Sequence, residues 1–181
     1  MTAPAPTPQE KALQRVLAIS RVNGWSVIVI AGLGILLALA LGDLSSVVIG
    51  LLGLASGVME VRGNHALKRR DPDGLKLLVR SQMLLLAVIL VYCASRLGSF
   101  DAETVMAGLT PDMETLLKES GIQKSDILPL VRTAFYTLYI TVAVVSVVYQ
   151  GGLALFYRNK TRLVSEALSA APVLAAHPPL A

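Results

Sequence analysis

Four long apolar runs constrain the fold of this chain more than any other feature. They cover about residues 22–41, 44–61, 75–97 and 130–157, and their centres carry no charged side chain. A helix rises about 1.5 Å per residue, so roughly 20 apolar residues cross the ~30 Å hydrocarbon core of a bilayer. We therefore predict an all-α, polytopic integral membrane protein with four transmembrane helices.

The composition supports this class. Only 15% of the residues are charged, 54% are hydrophobic and the mean hydropathy is +0.65, whereas globular chains average roughly 25% charged residues. Apolar runs of this length would be exposed patches in water. The single cysteine, Cys93, excludes an internal disulfide, and its apolar neighbours predict a buried position.

The runs divide the chain into three parts. Residues 1–21 are expected to be a disordered N-terminus and an interfacial lead-in, and residues 22–158 form the transmembrane domain. Its outer loop, 98–129, should contain a short helical cap, because Thr110 can cap a helix that Pro111 begins and Gly121 ends. Residues 159–181 should be a largely disordered cytoplasmic tail, in which Leu163 to Leu168 can continue a helix.

The orientation follows from the basic residues. A loop is predicted at Arg62–Lys76, here called the basic segment. This loop and both termini lie on one side of the four spans, and that side carries twelve Lys and Arg against four on the other side. The positive-inside rule makes that side cytoplasmic. This clustering at span ends is a topology signal, so the basic pI of about 9.4 does not indicate nucleic acid. The compact size, the lack of a signal-peptide pattern and the lack of outer cysteines favour a bacterial inner membrane.

Small residues recur at three- and four-residue steps on the first two spans. They are Gly34, Ala38 and Gly42 on the first, and Ser46, Gly50, Gly53 and Gly57 on the second. Such stripes let helices approach closely in lipid. We predict a tight hairpin of helices 1 and 2 on these faces; the alternative is a homodimer contact.

The basic segment is also a candidate surface for anionic lipid headgroups or a partner. Each Lys or Arg near an anionic leaflet gains about 1 kcal/mol. The residues in question are Arg62, Lys68, Arg69, Arg70 and Lys76. The alternative is that these charges only determine topology.

Two interpretations concern polar groups at or inside the spans. Glu60 and Arg80 lie near the cytoplasmic ends of consecutive helices and could form an ion pair, or less simply take a gating or proton role. Further groups could line a small interior pocket or only hydrogen-bond between helices. They are Gln82, Ser146, Gln150, Tyr92, Tyr139 and Tyr149.

No catalytic, cofactor or metal motif is recognisable. His65 and His177 have no partner at ligand spacing, and Asp71 and Asp73 sit among basic residues that balance their charge. No glycine-rich phosphate loop is present. We therefore expect no bound cofactor.

Three functions remain open, and a non-enzymatic one is favoured. The first is an accessory or scaffold subunit that packs with itself or another membrane protein. The second is a small transporter or channel subunit acting as an oligomer, which would need a polar cavity reaching the midplane. The third is an enzyme at the cytoplasmic face, which would need one pocket to bring together Glu60, Arg62, Asn64, His65 and Arg80.

Overall fold

A computed structural model describes residues 5–102, 108, 110–121 and 124–175, and the regular structure in these ranges is entirely helical. The helices are α1 Pro8–Ala40, α2 Leu44–Lys68, α3 Asp73–Gly98, α4 Pro111–Glu119 and α5 Lys124–Ala175. All but α4 are long and apolar enough to cross a membrane. The chain forms two compact units, one of Met1–Val88 with Val147–Ala181 and one of Ile89–Ser146.

The connection between α1 and α2 is a very tight turn. Gly42 adopts a left-handed φ of +70°, and the Asp43 N–H returns to the Ala38 carbonyl at 2.9 Å, which satisfies the end of α1. The Asp43 carboxylate then accepts from the Ser46 N–H at 3.1 Å and caps α2. The expected hairpin of helices 1 and 2 is therefore present.

The glycine stripe of α2 faces α1 as expected, but the α1 surface that it meets differs from the expected one. A Cβ added at Gly50 would lie 2.6 Å from Ile35, and one at Gly57 would lie 2.8 Å from Ile28. Isoleucines of α1 therefore fill the groove at Gly50 and Gly57, and the small α1 residues that face α2 are Gly24 and Ala31 instead of Gly34. Gly34 is exposed, Gly42 belongs to the turn, and only Ala38 of that predicted α1 stripe is buried.

Three of the four long helices extend well beyond the predicted spans at the end that carries the basic segment. The expected lead-in is part of α1, which a Thr7–Glu10 capping box begins. The basic segment is a helix end, a short turn and a helix start rather than a loop. The expected tail is helical to Ala175, and residues 176–181, including His177, lie outside the described part.

A buried core explains these extensions. It contains Val16 of α1, Leu67 of α2, Leu75 and Leu78 of α3, and Tyr157, Val164 and Leu168 of α5. Apolar side chains outside the predicted spans thus have partners on other helices, and their burial favours continued helix. The turn between α2 and α3 is held by close backbone approach, since a Cβ at Gly74 would lie 2.6 Å from the Gly63 carbonyl oxygen.

The unit Ile89–Ser146 is organised around aromatic side chains. The Phe100 and Phe135 rings lie 5.1 Å apart, those of Phe135 and Tyr139 lie 4.8 Å apart, and the Arg132 guanidinium lies 5.8 Å from the Tyr136 ring. Cys93 is buried, as expected.

The short helix α4 is confirmed with the predicted signals. The Met113 N–H donates to Thr110 Oγ1 at 3.3 Å, and Gly121 follows the helix with a left-handed φ of +68°.

Candidate functional site

The side chain of Glu60, in the first unit, is a buried carboxyl group that contacts side chains of two other helices. Glu60 is 1% exposed. Its Oε2 accepts from Asn23 Nδ2 at 2.6 Å, and its Oε1 accepts from the Tyr157 hydroxyl at 3.0 Å. Side chains of α1, α2 and α5 therefore meet at one carboxylate.

Two further side chains extend this arrangement. The Tyr149 hydroxyl donates to Asn23 Oδ1 at 3.2 Å. Gln82 of α3 is 1% exposed and lies close enough to the Glu60 carboxyl to interact with it, yet neither its Nε2 nor its Oε1 reaches a hydrogen-bond partner. We call Asn23, Glu60, Gln82, Tyr149 and Tyr157 the polar cluster.

Helical spacing places these groups. Asn23 follows Ser20 by three residues and Asn64 follows Glu60 by four, so each pair shares one helix face. Asn64 Nδ2 donates to the Leu17 carbonyl and to Ser20 Oγ, both at 2.7 Å. This second set of contacts fastens the same faces of α1 and α2 one turn away from Glu60.

Within the part of the chain that the structure describes, the Glu60 carboxyl group lies in no ion pair. Its hydrogen-bond donors are the neutral side chains of Asn23 and Tyr157. Burial of an ionised carboxylate without a counter-charge is costly. The side chains that contact the Glu60 carboxyl group are therefore all neutral.

The structure does not bring the predicted pair of Glu60 and Arg80 together. Arg80 is exposed and lines a surface cavity of about 420 Å³ together with Asp73, Lys76 and Arg158. The physical reason is rotation around α3. Gln82, two residues further on and roughly 200° around the helix, occupies the interior side instead.

Several residues of the basic segment line two further cavities on the surface, whereas Lys76 lines the same cavity as Arg80. One, of about 270 Å³ and here called the basic cavity, is lined by Arg21, Trp25, Val61, Asn64, His65 and Lys68. A neighbouring one of about 350 Å³ is lined by Arg62, His65, Ala66, Arg69 and Asp71. None of the residues that line the basic cavity is acidic.

Sequence reasoning anticipated part of this site. Six polar residues were predicted to line an interior pocket or only to hydrogen-bond between helices. Of these, Gln82 and Gln150 are buried, and Ser146, Tyr92 and Tyr139 are half-buried. Tyr149 is about half exposed, and its hydroxyl donates to Asn23. Asn23 and Tyr157 were missed. The polar residues at helical spacing on α1 and α2 were an available signal for Asn23, whereas Tyr157 resembled a residue at a membrane interface.

No group of three His, Cys, Asp or Glu side chains that could hold a metal ion occurs among the described residues. No protein-family model matches the chain, and neither a curated protein nor a solved structure shows significant similarity to it. The site must therefore be interpreted from its own chemistry.

Proposed function

We propose that this protein is a non-enzymatic accessory or scaffold subunit of a membrane complex. The observation that carries the proposal is the separation of Glu60 and Arg80 from the other three groups that a cytoplasmic-face enzyme would use. Glu60 is enclosed by side chains of its own bundle, Arg80 lines one cavity, and Arg62 lines another. Asn64 and His65 line the basic cavity, and His65 also lines the cavity of Arg62, but Asn64 already donates within the bundle.

The position of the polar cluster along the four long helices supports placing a membrane boundary near it. Each long helix carries an exposed arginine within two residues of a cluster member. These neighbours are Arg21 and Asn23, Arg62 and Glu60, Arg80 and Gln82, and Arg158 and Tyr157. Arginines that face outward at one level favour a membrane boundary there, with their charges reaching headgroups. We place the basic ends of the helices in a bacterial cytoplasm on the charge asymmetry given above.

Anionic lipid headgroups are the ligands that the basic cavity fits best. Arg21, His65 and Lys68 supply the positive or chargeable groups, and Trp25, which is about half exposed, has the amphipathic ring favoured at an interface. His65 Nδ1 lies 3.0 Å from the Val61 carbonyl oxygen. A carbonyl oxygen can only accept a hydrogen bond, so Nδ1 is the donor in this contact and Nε2 points away from it.

The exposed apolar side of α1 is the surface that we propose for a protein partner. Ile30, Leu33 and Leu37 are each more than 60% exposed, and Gly34 lies among them with open space around its Cα. A second membrane helix, from another protein or another copy, can approach closely at such a glycine.

Affinity purification in a mild detergent tests the proposal with a matched pair of variants. We expect a stoichiometric membrane partner with the natural chain and at least a tenfold loss of that partner with Gly34→Leu. Gly34→Leu should itself remain folded, because nothing lies within 4 Å of the added Cβ. Gly32→Leu, also open, is the control for added bulk. Recovery of a monomer without a partner would contradict the proposal.

A transporter or channel subunit is the second candidate. The observation that favours it is the unpaired interior amide of Gln82, together with the unpaired Oε1 of buried Gln150. In membrane helix bundles, ion and proton paths are typically lined by buried polar groups. Flux measured in liposomes distinguishes this candidate from a scaffold.

A further inference from the structure

We propose that the cavity lined by α3 and α5, here called the α3–α5 cavity, binds the phosphate of an anionic phospholipid through Arg80 and Arg158. This site is separate from the basic cavity, which α1 and α2 line. The proposal depends on the membrane placement of the helices, but it depends neither on the scaffold role nor on a protein partner.

Two helix faces form the α3–α5 cavity, which has a volume of about 420 Å³. Lys76 and Arg80 are four residues apart on α3, and Arg158 and Thr161 are three residues apart on α5, so each pair shares one face of its helix. Both helices also contribute side chains to the buried core, which fixes them against each other. The two arginines are therefore presented by an ordered backbone, and binding a ligand between them requires little further ordering.

The lining of the cavity has an excess of positive charge. Its charged side chains are Asp73, Lys76, Arg80 and Arg158, of which three are basic and one is acidic. Lys76 Nζ donates to Asp73 Oδ1 at 2.7 Å, and Arg80 interacts with the same carboxylate more weakly. Arg158 forms no ion pair with any residue that the structure describes. An anion in the cavity would therefore supply the negative charge that the two guanidinium groups lack.

The chemistry of the lining favours a phosphate that carries an apolar group. A guanidinium group is planar and can donate two parallel hydrogen bonds to one phosphate. Next to the arginines, the side chains of Leu75 and Val79 give the cavity an aliphatic wall. Such a wall suits the glycerol and acyl parts of a lipid, whereas a free phosphate would gain nothing from it.

The positions of the two arginines along their helices also indicate a lipid. Arg80 is followed by residues 81–95, and Arg158 is preceded by residues 133–157, and neither run contains a charged side chain. Both guanidinium groups therefore lie at the end of an apolar run, which is the level of the headgroups for a helix that crosses a bilayer. Basic pockets between membrane helices on the cytoplasmic side bind anionic headgroups.

The experiment measures how far a bound lipid protects a cysteine in the cavity. Thr161 lines the cavity and is exposed, so Thr161→Cys in a Cys93→Ser background is the reporter. We expect N-ethylmaleimide to react with it about fivefold more slowly in nanodiscs containing phosphatidylglycerol than in nanodiscs of phosphatidylcholine alone. Asn159→Cys is the matched control, because Asn159 is exposed near the same depth but does not line the cavity. It reports any general effect of an anionic surface on thiol reactivity.

Three further variants, each combined with the reporter, assign the protection to its ligands. Arg80→Gln and Arg158→Gln should each raise the fraction of phosphatidylglycerol that gives half-protection about fivefold. Both arginines are exposed, so neither change leaves a buried group without a partner. Arg62→Gln makes the same change of charge in another cavity and should leave half-protection unaltered.

Equal reaction rates of the reporter in the two kinds of nanodisc would overturn the proposal, and so would equal slowing of Thr161→Cys and Asn159→Cys. A loss of protection with Arg62→Gln as large as that with Arg158→Gln would assign the effect to overall surface charge and overturn it as well. Inorganic phosphate, added to nanodiscs of phosphatidylcholine alone, should not protect the reporter. Protection by inorganic phosphate equal to that by phosphatidylglycerol would overturn the assignment to a lipid.

Discussion

Arg70 is the residue with the least favourable backbone conformation in the described ranges. It has a φ of +63°, and of the described residues no other non-glycine has a positive φ. The left-handed conformation costs a residue with a side chain about 1–2 kcal/mol. It allows the Asp71 N–H to reach the Ala66 carbonyl at 3.0 Å and close α2, as Gly42 does for α1.

The left-handed conformation of Arg70 predicts the direction in which a glycine substitution changes the free energy of unfolding. Arg70→Gly should raise the free energy of unfolding by about 1 kcal/mol, because glycine adopts this conformation without steric cost. Chemical unfolding in detergent, followed by circular dichroism, measures the change. Arg69→Gly is the matched control: Arg69 has a φ of −85°, so its replacement should be neutral or destabilising. Equal effects of the two variants would refute the assignment of strain to Arg70.

The interior residues show what sequence could and could not supply. Four apolar runs were sufficient to predict four long helices, and Thr110, Pro111 and Gly121 were sufficient to predict α4. The partner of Glu60 was not predictable in this way. Position along the sequence indicated Arg80, but the rotation of each helix decides which side chain faces inward, and residues two positions apart lie on nearly opposite faces.

At the scale of elements, the contact between α2 and α3 depends on two glycines that the sequence analysis did not select. A Cβ at Gly63 would lie 2.9 Å from the Gly74 carbonyl oxygen, and one at Gly74 would lie 2.9 Å from the Leu67 backbone nitrogen. Both residues fall in the basic segment, where a loop was expected, so no stripe was sought there. These two glycines come into contact because α2 and α3 are helical on both sides of the short turn.

Gly74→Ala should therefore lower the free energy of unfolding by about 1–3 kcal/mol, since backbone atoms cannot move aside as a flexible side chain can. Gly32→Ala should change it in the opposite direction by about 0.5–1 kcal/mol, because the site is helical and open. Unfolding in a mixed-detergent series measures both. A Gly74→Ala protein as stable as the natural chain would mean that α2 and α3 are not packed this closely.

For the whole molecule, the decisive prediction is orientation. Replacement of Cys93 by serine leaves a chain without cysteine, into which single reporters can be placed. Arg69→Cys lies in the turn after α2, and Ser120→Cys lies just beyond α4; both positions are exposed. The charge asymmetry predicts that a membrane-impermeant maleimide labels Ser120→Cys in intact cells and labels Arg69→Cys only after lysis.

The reverse labelling pattern would invert the proposed topology, and labelling of both positions in intact cells would indicate dual insertion. Either result would also move the basic cavity away from the cytoplasmic leaflet. The four long apolar helices themselves were predictable from hydropathy. The extended basic ends of the helices were not, because their stability comes from contacts such as Leu67 and Val164 with the common core.

The tight turn between α1 and α2 has a consequence for biosynthesis. Gly42 and Asp43 take part in ending α1 and beginning α2, so no flexible residues separate the two helices. A connection this short does not favour insertion of α1 on its own, ahead of α2. The two helices should enter the bilayer together as a preformed pair. Translation of the basic segment, which follows α2, would then be the step that commits the pair to its orientation.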